Sequence, residues 1–393
     1  MLIKRWAQLQ DFNANSSTQL LKYFVHQGYP LIKDRSTHKP TTGEDALLTT
    51  LERFPDDPLL PLALDIKHIR HGLGDLKDSH LGKDGRFHSL FTFKPDTGRL
   101  ASQAPNLMNL PQGRGGGVEE VIAKLIRSTI VPDPGFVFLE FDWKAIEAVL
   151  TGWFAGDPDY IKLSLLDSHG YFTSHILAAR GVIDKPFSMG DVDLVERLGW
   201  LKENFPTERA LGKQINLATS YGMKANHLAA RVKCNLQDAI LYLKLKDQMA
   251  PKVTAWKAET QARAHKEGRL VNPFGYARAF FAVYEKKKDG TFRLGKEANE
   301  ALSFLPQSTG AAMLRSSIVD LFELLEETGL AQILIPIHDA LLLQCLPADV
   351  EQVVERVRQV MEKDWSQLNG LSIKTSCKIG TKNWSEMEDY VAA

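Results

Sequence analysis

The sequence predicts an α+β fold in which an antiparallel sheet is interrupted by a long helical insertion. An apolar strand, FVFLEFDW, lies before residue 150, and an apolar hairpin, QILIPIHDALLLQC, lies after residue 330. Between them, residues 160–268 show mostly helical patterns. Strands that are separated by a run of helices, rather than alternating with helices, are typical of α+β proteins.

Length and composition limit the class of protein. The 393 residues predict two or three domains. Hydrophobic residues make up 44% and charged residues 24%, which is ordinary globular usage and disfavours disordered and fibrous architectures. Lys and Arg total 48, as do Asp and Glu, so any nucleic-acid surface must arise from local segregation of charge.

Neither a membrane segment nor a disulfide framework is expected. The most apolar stretch is broken by Pro336, His338 and Asp339, and the N-terminal segment lacks the apolar region of a signal peptide. The three cysteines are widely separated in the chain, which predicts buried thiols in a reducing compartment.

The first third of the chain is predicted to be helical and then loop-rich. Ser16 can cap the helix QLLKYFVHQG, and Thr42 opens the second helical run, EDALLTTLERF. A β-like run, HSLFTFK, precedes DTGRLASQAPNLMNLPQGRGGG, which is dense in turn formers. We therefore predict a long functional loop in this second segment.

The rest of the chain supplies the sheet and the insertion. The aromatic and β-branched content of FVFLEFDW predicts a buried strand that ends at Asp142. RLVNPFGYARAFFAV predicts two short strands, and residues 297–329 predict a pair of long helices. In the hairpin, His338 and Asp339 form the turn, which requires Pro336 to lie on an edge strand. An amphipathic helix, DVEQVVERVRQVMEKDW, and a short strand, SIKTSCKIG, complete the chain.

Two aspartates are predicted to lie at the same rim of the sheet. Asp142 ends the buried strand, and Asp339 lies at the hairpin tip. A single such aspartate is ordinarily a polar cap, but two neighbouring carboxylates repel each other unless a cation lies between them. Oxygen ligands without His or Cys favour Mg²⁺, and a pair of such ions supports phosphoryl transfer.

The helical segment ERALGKQINLATSYG carries Arg209, Lys213 and Asn216 on a stripe about 60° wide. Such a stripe can be a solvated helix face. Because this helix has no acidic partners at the usual spacing beyond Glu208, an unpaired cationic face suited to a triphosphate is the alternative. Tyr221 at its end is either core packing or a platform on which a base stacks.

These segments resemble the motifs of family A DNA polymerases, the group of bacterial DNA polymerase I and its phage relatives. RALGKQINLATSYGM resembles the fingers-helix motif, FDWKAIEAV the first palm motif, and IHDALLL the His-Asp palm motif. DTGRLASQAPNLMNLPQ is similar to the primer-template segment, and FNANSSTQL, LSFLPQSTGAA and KIGTKNW agree in order. Seven motifs in this order are together specific, and they cover residues 12–384.

The resemblance implies a right-hand polymerase fold with an antiparallel palm sheet, helical fingers and a partial thumb. Residues 1–84 would form the partial thumb, and 85–150 the first part of the palm. Residues 151–269 would form the fingers. Residues 270–393 would form the second part of the palm, with helices that connect it to the fingers.

The implied function is a template-directed DNA polymerase that adds dNTPs to a primer 3′ end by two-metal-ion phosphoryl transfer. Asp142 and Asp339 would be catalytic and would hold two Mg²⁺ ions, with the Trp143 carbonyl as an additional ligand. Lys213 would be a further catalytic residue, because it would protonate the pyrophosphate leaving group. Glu147 would be the steric gate that leaves no room for a 2′-hydroxyl.

The resemblance also assigns binding roles. Tyr221 would stack at the template position. The residues implied to contact the incoming nucleotide are Arg209, Lys213, His169, Glu147, Leu217 and Tyr221. The residues implied to line the primer terminus and the minor groove of the DNA are Arg99, Asn106, Asn109, Gln307 and His338.

Two departures from the family pattern bear on rate and sugar selectivity. Ala340 stands where the family usually has Glu, and Leu217 stands where it has Phe or Tyr. Leu217 would either contact the sugar or belong to the fingers core. A single-subunit RNA polymerase is the nearest alternative, and Glu147 disfavours it. A catalytically silent nucleic-acid-binding relative is a second alternative, which Ala340 favours and the two aspartates disfavour.

Partners and location also follow from the resemblance. The expected partners are primer-template DNA and dNTPs, with a processivity or proofreading partner on another chain, and no membrane. No segment resembles an exonuclease domain, so the chain is expected to be either a short natural polymerase or a fragment of a longer one. The expected location is the cytoplasm of a bacterium, or of the host cell of a phage.

Overall fold

The computed structural model describes residues 12–34, 37–74, 81–110, 117–287 and 289–392. The chain divides into two compact units, each described here by itself. The first unit comprises Met1–Phe91, Ser102–Pro134 and Gly380–Met387, and the second comprises Thr92–Ala101, Gly135–Ile379 and Glu388–Ala393. The division into thumb, palm and fingers stays a prediction.

The first unit is helical. Ser16 caps helix α1 as predicted, since its side chain accepts a hydrogen bond from the Gln19 N–H at 3.3 Å. Its apolar core includes Leu20, Phe24 and Leu47. The helices are α1 (Ser17–Gln27), α2 (Glu44–Arg53), α3 (Leu59–Gly74) and α4 (Gly117–Ser128), with a 3₁₀ turn at Leu107–Asn109.

The predicted loop after the β-like run is largely irregular. It contains the short strand β2 (Ala101–Gln103), and β1 (Leu90–Thr92) precedes it. The end of this loop, residues 111–116, lies outside the described residues.

A five-stranded sheet organises the second unit, in the order β11-β10-β3-β9-β8. Strand β3 pairs antiparallel with β9, and β8 pairs antiparallel with β9, so the predicted hairpin is confirmed. Pro336 lies in β8 at the sheet edge, where its missing N–H costs no interior hydrogen bond. The strands are β3 (Val137–Trp143), β8 (Ala331–Ile337), β9 (Ala340–Cys345), β10 (Thr375–Gly380) and β11 (Glu388–Asp389).

The predicted helical insertion is confirmed between β3 and the later strands. Its helices bury apolar faces against one another, for example at Phe172, Ile215 and Tyr242. The helices are α5 (Ile146–Phe154), α6 (Pro158–Leu166), α7 (Ser168–Ala179), α8 (Leu194–Asn204), α9 (Pro206–Thr219), α10 (Ala225–Val232), α11 (Leu236–Met249) and α12 (Pro251–Glu267).

The predicted pair of long helices is wrong. A single helix, α13 (Ala298–Leu321), continues through Pro306 and ends in a π-helical turn at Phe322–Glu326. Pro306 is buried together with most of this helix, and burial of several faces offsets the hydrogen bond that a proline removes. The amphipathic helix α14 (Val350–Met361) packs its valines in the core behind the sheet.

Two short hairpins connect the insertion to α13. The first is formed by β4 (Arg269–Val271) and β5 (Ala277–Ala279), as predicted, and the second by β6 (Tyr284–Lys286) and β7 (Phe292–Leu294). Within the described ranges, none of the helices is long and apolar enough to cross a membrane. Cys345 and Cys377 are buried as expected, whereas Cys234 is only half-buried.

Candidate active site

The sheet brings the two predicted aspartates to one end of neighbouring strands. Asp142 is exposed, while Phe141 and Trp143 on either side of it are buried, as the alternation of a strand requires. Asp142 lies opposite Ala340, and Asp339 immediately precedes Ala340 in the chain. In an antiparallel ladder this relationship places the two aspartate Cα atoms about 6 Å apart.

The turn that presents Asp339 is tight. Only His338 and Asp339 separate β8 from β9, and His338 is exposed with a φ of 53°, in the left-handed region. Residues other than glycine rarely adopt this conformation, and it is often found where a turn fixes a functional group. Asp339 is half-buried beside it.

Arg99 joins Asp339 to Glu147. Its guanidinium donates to Asp339 Oδ1 at 3.3 Å and also to Glu147 Oε1. The Tyr221 hydroxyl donates to Glu147 Oε2, so both oxygens of this carboxylate are held. The sequence predicted each of these residues separately, but it gave no signal that they form one network, which we call the sheet-end network.

Burial and charge act together on this network. Burial, together with the charge of Glu147, raises the pKa of Asp339 above its usual value, against the opposing effect of Arg99. Burial alone would lower the pKa of Arg99, but the charges of Asp339 and Glu147 raise it. Burial and the adjacent Glu147 also raise the pKa of Tyr221, so its hydroxyl remains a donor. The half-buried carboxylate of Asp339 is thus stabilised by the neighbouring Arg99 guanidinium.

In the helical insertion, Arg209 is already paired with an aspartate. Its Nε donates to Asp167 Oδ2 at 2.8 Å, and its Nη2 donates to Asp167 Oδ1 at 3.0 Å. Asp167 also caps helix α7 through the Gly170 N–H, at 3.0 Å. The prediction of an unpaired cationic face is therefore wrong at Arg209, because its partner comes from another helix and not from the i,i+4 position.

Helix α9 separates its predicted stripe into an exposed part and a buried part. Lys213 is exposed, and Leu217, one turn further on, is 58% exposed, which removes the alternative that Leu217 belongs to the fingers core. Asn216 is buried instead and does not share their face. At Gly212 a side chain would collide with Thr173 of α7, so a glycine permits the close packing of these two helices.

His169 belongs to the N-terminal turn of α7 and contacts α9. Its Nδ1 is 3.0 Å from Asn216 Nδ2. Burial lowers the pKa of His169 to about 4, with the charges of Lys213 and Arg209 acting in the same direction and Asp167 opposing them. A neutral imidazole therefore sits beside two cations at neutral pH.

The remaining predicted residues occupy three separate places. Gln307 is half-buried on α13 and lines a cavity with Tyr221 and Lys224. Asn106 and Asn109 belong to the first unit, where Asn106 Oδ1 accepts from Ser102 Oγ at 2.9 Å and Asn109 is exposed. The Trp143 ring is buried and donates to the Met361 carbonyl at 2.9 Å, so only its main chain is available as a metal ligand.

Comparisons with known proteins agree with this arrangement. The chain is 28% identical to the thermostable DNA polymerase I of Thermus thermophilus, covering 90% of this chain and 40% of the relative. It is 26% identical to DNA polymerase I of Pseudomonas aeruginosa, covering 90% of this chain and 36% of the relative. It is 24% identical to DNA polymerase theta of Caenorhabditis elegans, covering 96% of this chain and 21% of the relative. The chain thus spans less than half the length of these relatives.

A solved structure shows the same fold. It is the POL domain of Pol1 from M. smegmatis in complex with DNA primer-template and dNTP, with a TM-score of 0.76 and 21% identity. The match covers 96% of this chain and 62% of that chain, which confirms the predicted α+β polymerase fold. The family model of DNA polymerase family A matches residues 2–386, and this chain belongs to that family.

Proposed function

We propose that this chain is a template-directed DNA polymerase that adds dNTPs to a primer 3′ end by two-metal-ion phosphoryl transfer. The observation that carries the proposal is the pair of aspartates at one sheet end, with Arg99 and Glu147 gathered around Asp339. The relatives support it, because they are DNA polymerases and each of them matches 90% of this chain.

The sheet end suits Mg²⁺. Family membership implies a divalent metal ion, and the donors here are carboxylate oxygens, which Mg²⁺ prefers. Asp142 and Asp339 would hold two ions, with the Trp143 carbonyl as a third ligand. The guanidinium of Arg99 already supplies positive charge to Asp339, which indicates that this half-buried carboxylate accepts a cation. Bound ions would activate the primer 3′-oxygen and stabilise the leaving oxygen.

Glu147 acts as the gate against ribonucleotides. Arg99 holds one of its oxygens and Tyr221 holds the other, so the carboxylate has little freedom to move aside. A 2′-hydroxyl placed against it would either clash with it or leave a buried polar group unsatisfied. This rigidity favours DNA synthesis over RNA synthesis.

The fingers residues bind the triphosphate. Lys213 is exposed on α9 and would protonate the leaving pyrophosphate, and Leu217 on the same face would contact the sugar. Two hydrogen bonds to Asp167 fix the orientation of the Arg209 guanidinium. A planar guanidinium also suits a phosphate, so Arg209 would contact the triphosphate. His169 would donate to a phosphate oxygen as a neutral imidazole.

The DNA contacts belong to the same proposal. Tyr221 would stack at the template position, and Gln307 lines the same cavity. His338, Arg99, Asn106 and Asn109 would contact the primer terminus and the minor groove. A processivity or proofreading partner and a cytoplasmic location stay predictions.

A primer-extension assay tests the proposal. A labelled primer-template is incubated with Mg²⁺ and either dNTPs or NTPs, and a parallel reaction contains a chelator. Extension is expected only in the reaction that contains dNTPs and Mg²⁺ without the chelator. Efficient extension with NTPs would favour the RNA polymerase, and binding of DNA without extension would favour the silent relative.

A further inference from the structure

Lys246 of helix α11 is buried inside the fingers helices. It is 6% exposed, and its ammonium lies 5.7 Å from the ring centroid of Tyr160 and 5.9 Å from that of Phe172. No carboxylate forms an ion pair with it within the part of the chain that the structure describes. A buried ammonium without an acidic partner is costly, so its retention calls for a role.

The hydrogen bonds of Lys246 lead directly to the triphosphate site. Its Nζ donates to Asn216 Oδ1. The Nδ2 of the same amide lies 3.0 Å from His169 Nδ1 and 3.3 Å from Ser168 Oγ. Lys246, Asn216 and His169 therefore form a continuous chain of hydrogen bonds from α11 through α9 to α7.

The chemistry of an ammonium fixes the direction of this chain. An ammonium can only donate, so the oxygen of the Asn216 amide must face Lys246 and its NH₂ must face the histidine. His169 Nδ1 then accepts, and in a neutral ring the proton must be on Nε2. Nε2 is the nitrogen left for a ligand, and it carries a donor.

We propose that Lys246 is a positioning residue for the incoming nucleotide, which acts through Asn216 to hold His169 in the Nε2–H tautomer that donates to a phosphate oxygen. The proposal rests on the proposed function, because it takes His169 as a triphosphate contact. Arg209 and Lys213 beside the ring attract the same anion, and they disfavour a charged imidazole that could donate from both nitrogens.

The charge of Lys246 makes this positioning depend on pH. Burial lowers its pKa to about 7, with Lys257 of α12 acting in the same direction and Asp247 opposing. The other titratable groups that face it are Tyr160 of α6 and His169 of α7. Above this pKa the neutral amine can accept as well as donate, so the amide is free to reverse and the Nδ1–H tautomer becomes available.

Nuclear magnetic resonance of ¹⁵N-histidine-labelled protein tests the tautomer directly, with the His169 signals assigned from their loss in His169→Gln. The wild type at pH 6 is expected to show the Nε2–H pattern, and its fraction is expected to fall between pH 7 and 9. Lys246→Met is expected to show a mixture at pH 6. An Nδ1–H pattern in the wild type, or an unchanged pattern in Lys246→Met, would overturn the proposal.

Asn216→Asp keeps the test decisive if Lys246→Met does not fold. The substitution preserves the shape and pairs with Lys246, but a carboxylate cannot donate to His169 Nδ1. The Nδ1–H tautomer is therefore expected at pH 8, where both carboxylate and imidazole have their ordinary charges. Retention of the Nε2–H tautomer in Asn216→Asp would contradict the positioning role.

Steady-state primer extension supplies the functional readout. Lys246→Met is expected to raise the KM for dNTP about tenfold, as for one lost hydrogen bond to a charged group, with kcat changed less than about threefold. Lys244→Met, an exposed lysine on the same helix, is the matched control and should leave KM unchanged. Lys257→Met tests a half-buried lysine of the neighbouring helix α12, which donates to the Thr219 carbonyl at 3.4 Å and not to Asn216.

The two proposals fail in different ways. If the wild type extends primers but Lys246→Met and Lys257→Met change KM equally, the loss is not specific to the lysine that contacts Asn216, and the positioning role is overturned. If the wild type does not extend primers, the proposed function is overturned. The nucleotide-binding role of Lys246 then falls with it, whichever tautomer is observed.

Discussion

The sheet end and the helical insertion differ in the sign of the charge that they concentrate. At the sheet end, the carboxylates of Asp339 and Glu147 gather around a single guanidinium, that of Arg99. In the helical insertion, Arg209, Lys213 and Lys246 surround His169, and Asp167 is the carboxylate paired with Arg209. The first arrangement favours cations and the second favours polyanions, which is the combination that the proposed binding of a metal-bound triphosphate would require.

The comparison also shows two ways of placing charge. The sheet fixes Asp142 and Asp339 through backbone pairing, so their separation follows from the strand register. In the helical insertion, the positions of the cationic side chains depend on hydrogen bonds to other side chains. Arg209 donates to Asp167, and Lys246 donates to Asn216. We therefore expect substitutions at the sheet end to abolish chemistry, and substitutions in the fingers to weaken nucleotide binding.

The largest effect is expected at the sheet end. Asp142→Asn or Asp339→Asn should reduce the rate of primer extension by about a thousandfold or more, because each carboxylate is proposed to hold a catalytic metal ion. Binding of primer-template should stay within a few-fold, since phosphate contacts elsewhere dominate duplex affinity. Asp184→Asn, on an exposed turn of the fingers, is the matched control. An extension rate within tenfold of wild type in either variant would contradict the expectation that the sheet end is required for chemistry.

Glu147 provides the next test. Glu147→Ala should raise the ratio of ribonucleotide to deoxynucleotide incorporation by about tenfold or more, because the rigid wall against the 2′-hydroxyl is lost. Tyr221→Phe removes only the hydroxyl that holds Oε2 and should raise the ratio less. Competition between labelled NTP and dNTP measures it. Equal ratios of ribonucleotide to deoxynucleotide incorporation in wild type and Glu147→Ala would contradict the assignment of Glu147 as the steric gate.

Arg209 tests whether the helical insertion contributes to nucleotide binding. Arg209→Lys keeps the charge but loses the fork, so we expect the KM for dNTP to rise about tenfold while primer-template affinity is unchanged. Arg197→Lys, which changes an arginine paired with Asp191 at the start of α8, is the control. A large fall in kcat with unchanged KM would show that the fingers contribute to chemistry and not to binding.

A smaller effect is expected at Leu217, which is exposed beside Lys213. Leu has no hydroxyl, so the wild type should discriminate against dideoxynucleotides. Leu217→Tyr should relax this by about fivefold, the equivalent of one hydrogen bond of about 1 kcal/mol. Competition between ddNTP and dNTP decides the point, and an unchanged ratio in an active variant would mean that Leu217 does not meet the sugar.

The last expected effect is on the stability of the fold and its dependence on pH. The pKa of Lys246 is lowered to about 7 in the folded protein, so between pH 7 and its ordinary value near 10.5 the unfolded chain binds more protons. The free energy of unfolding should therefore rise with pH from 7 to 9, and rise less in Lys246→Met. Urea unfolding at several pH values measures this. If the free energy of unfolding changes equally with pH in the wild type and in Lys246→Met, the pKa of Lys246 has its ordinary value.

Local pattern accounts for what the sequence predicted well. The strand at Val137–Trp143, the hairpin around His338 and the helix Pro206–Thr219 each follow from residues that are neighbours in the chain. The helix through Pro306 did not follow, because its stability comes from burial on several sides, which is a tertiary property.

Long-range pairs account for what the sequence could not show. Arg99 and Asp339 are 240 residues apart, Arg209 and Asp167 are 42 apart, and Lys246 and Asn216 are 30 apart. Nothing in the local pattern around Lys246 separates a buried lysine from a solvated one. The contacts that motivate the proposal for Lys246 join three helices, α7, α9 and α11.

The count of metal ions bound at the sheet end tests the central claim most directly. Mn²⁺ replaces Mg²⁺, and electron paramagnetic resonance measures bound Mn²⁺ in a complex with a dideoxy-terminated primer-template and the matching dNTP. The wild type and Asp184→Asn are expected to bind two ions per chain, and Asp142→Asn and Asp339→Asn fewer. Two ions bound with unchanged affinity in both aspartate variants would contradict the assignment of the sheet end as the metal site.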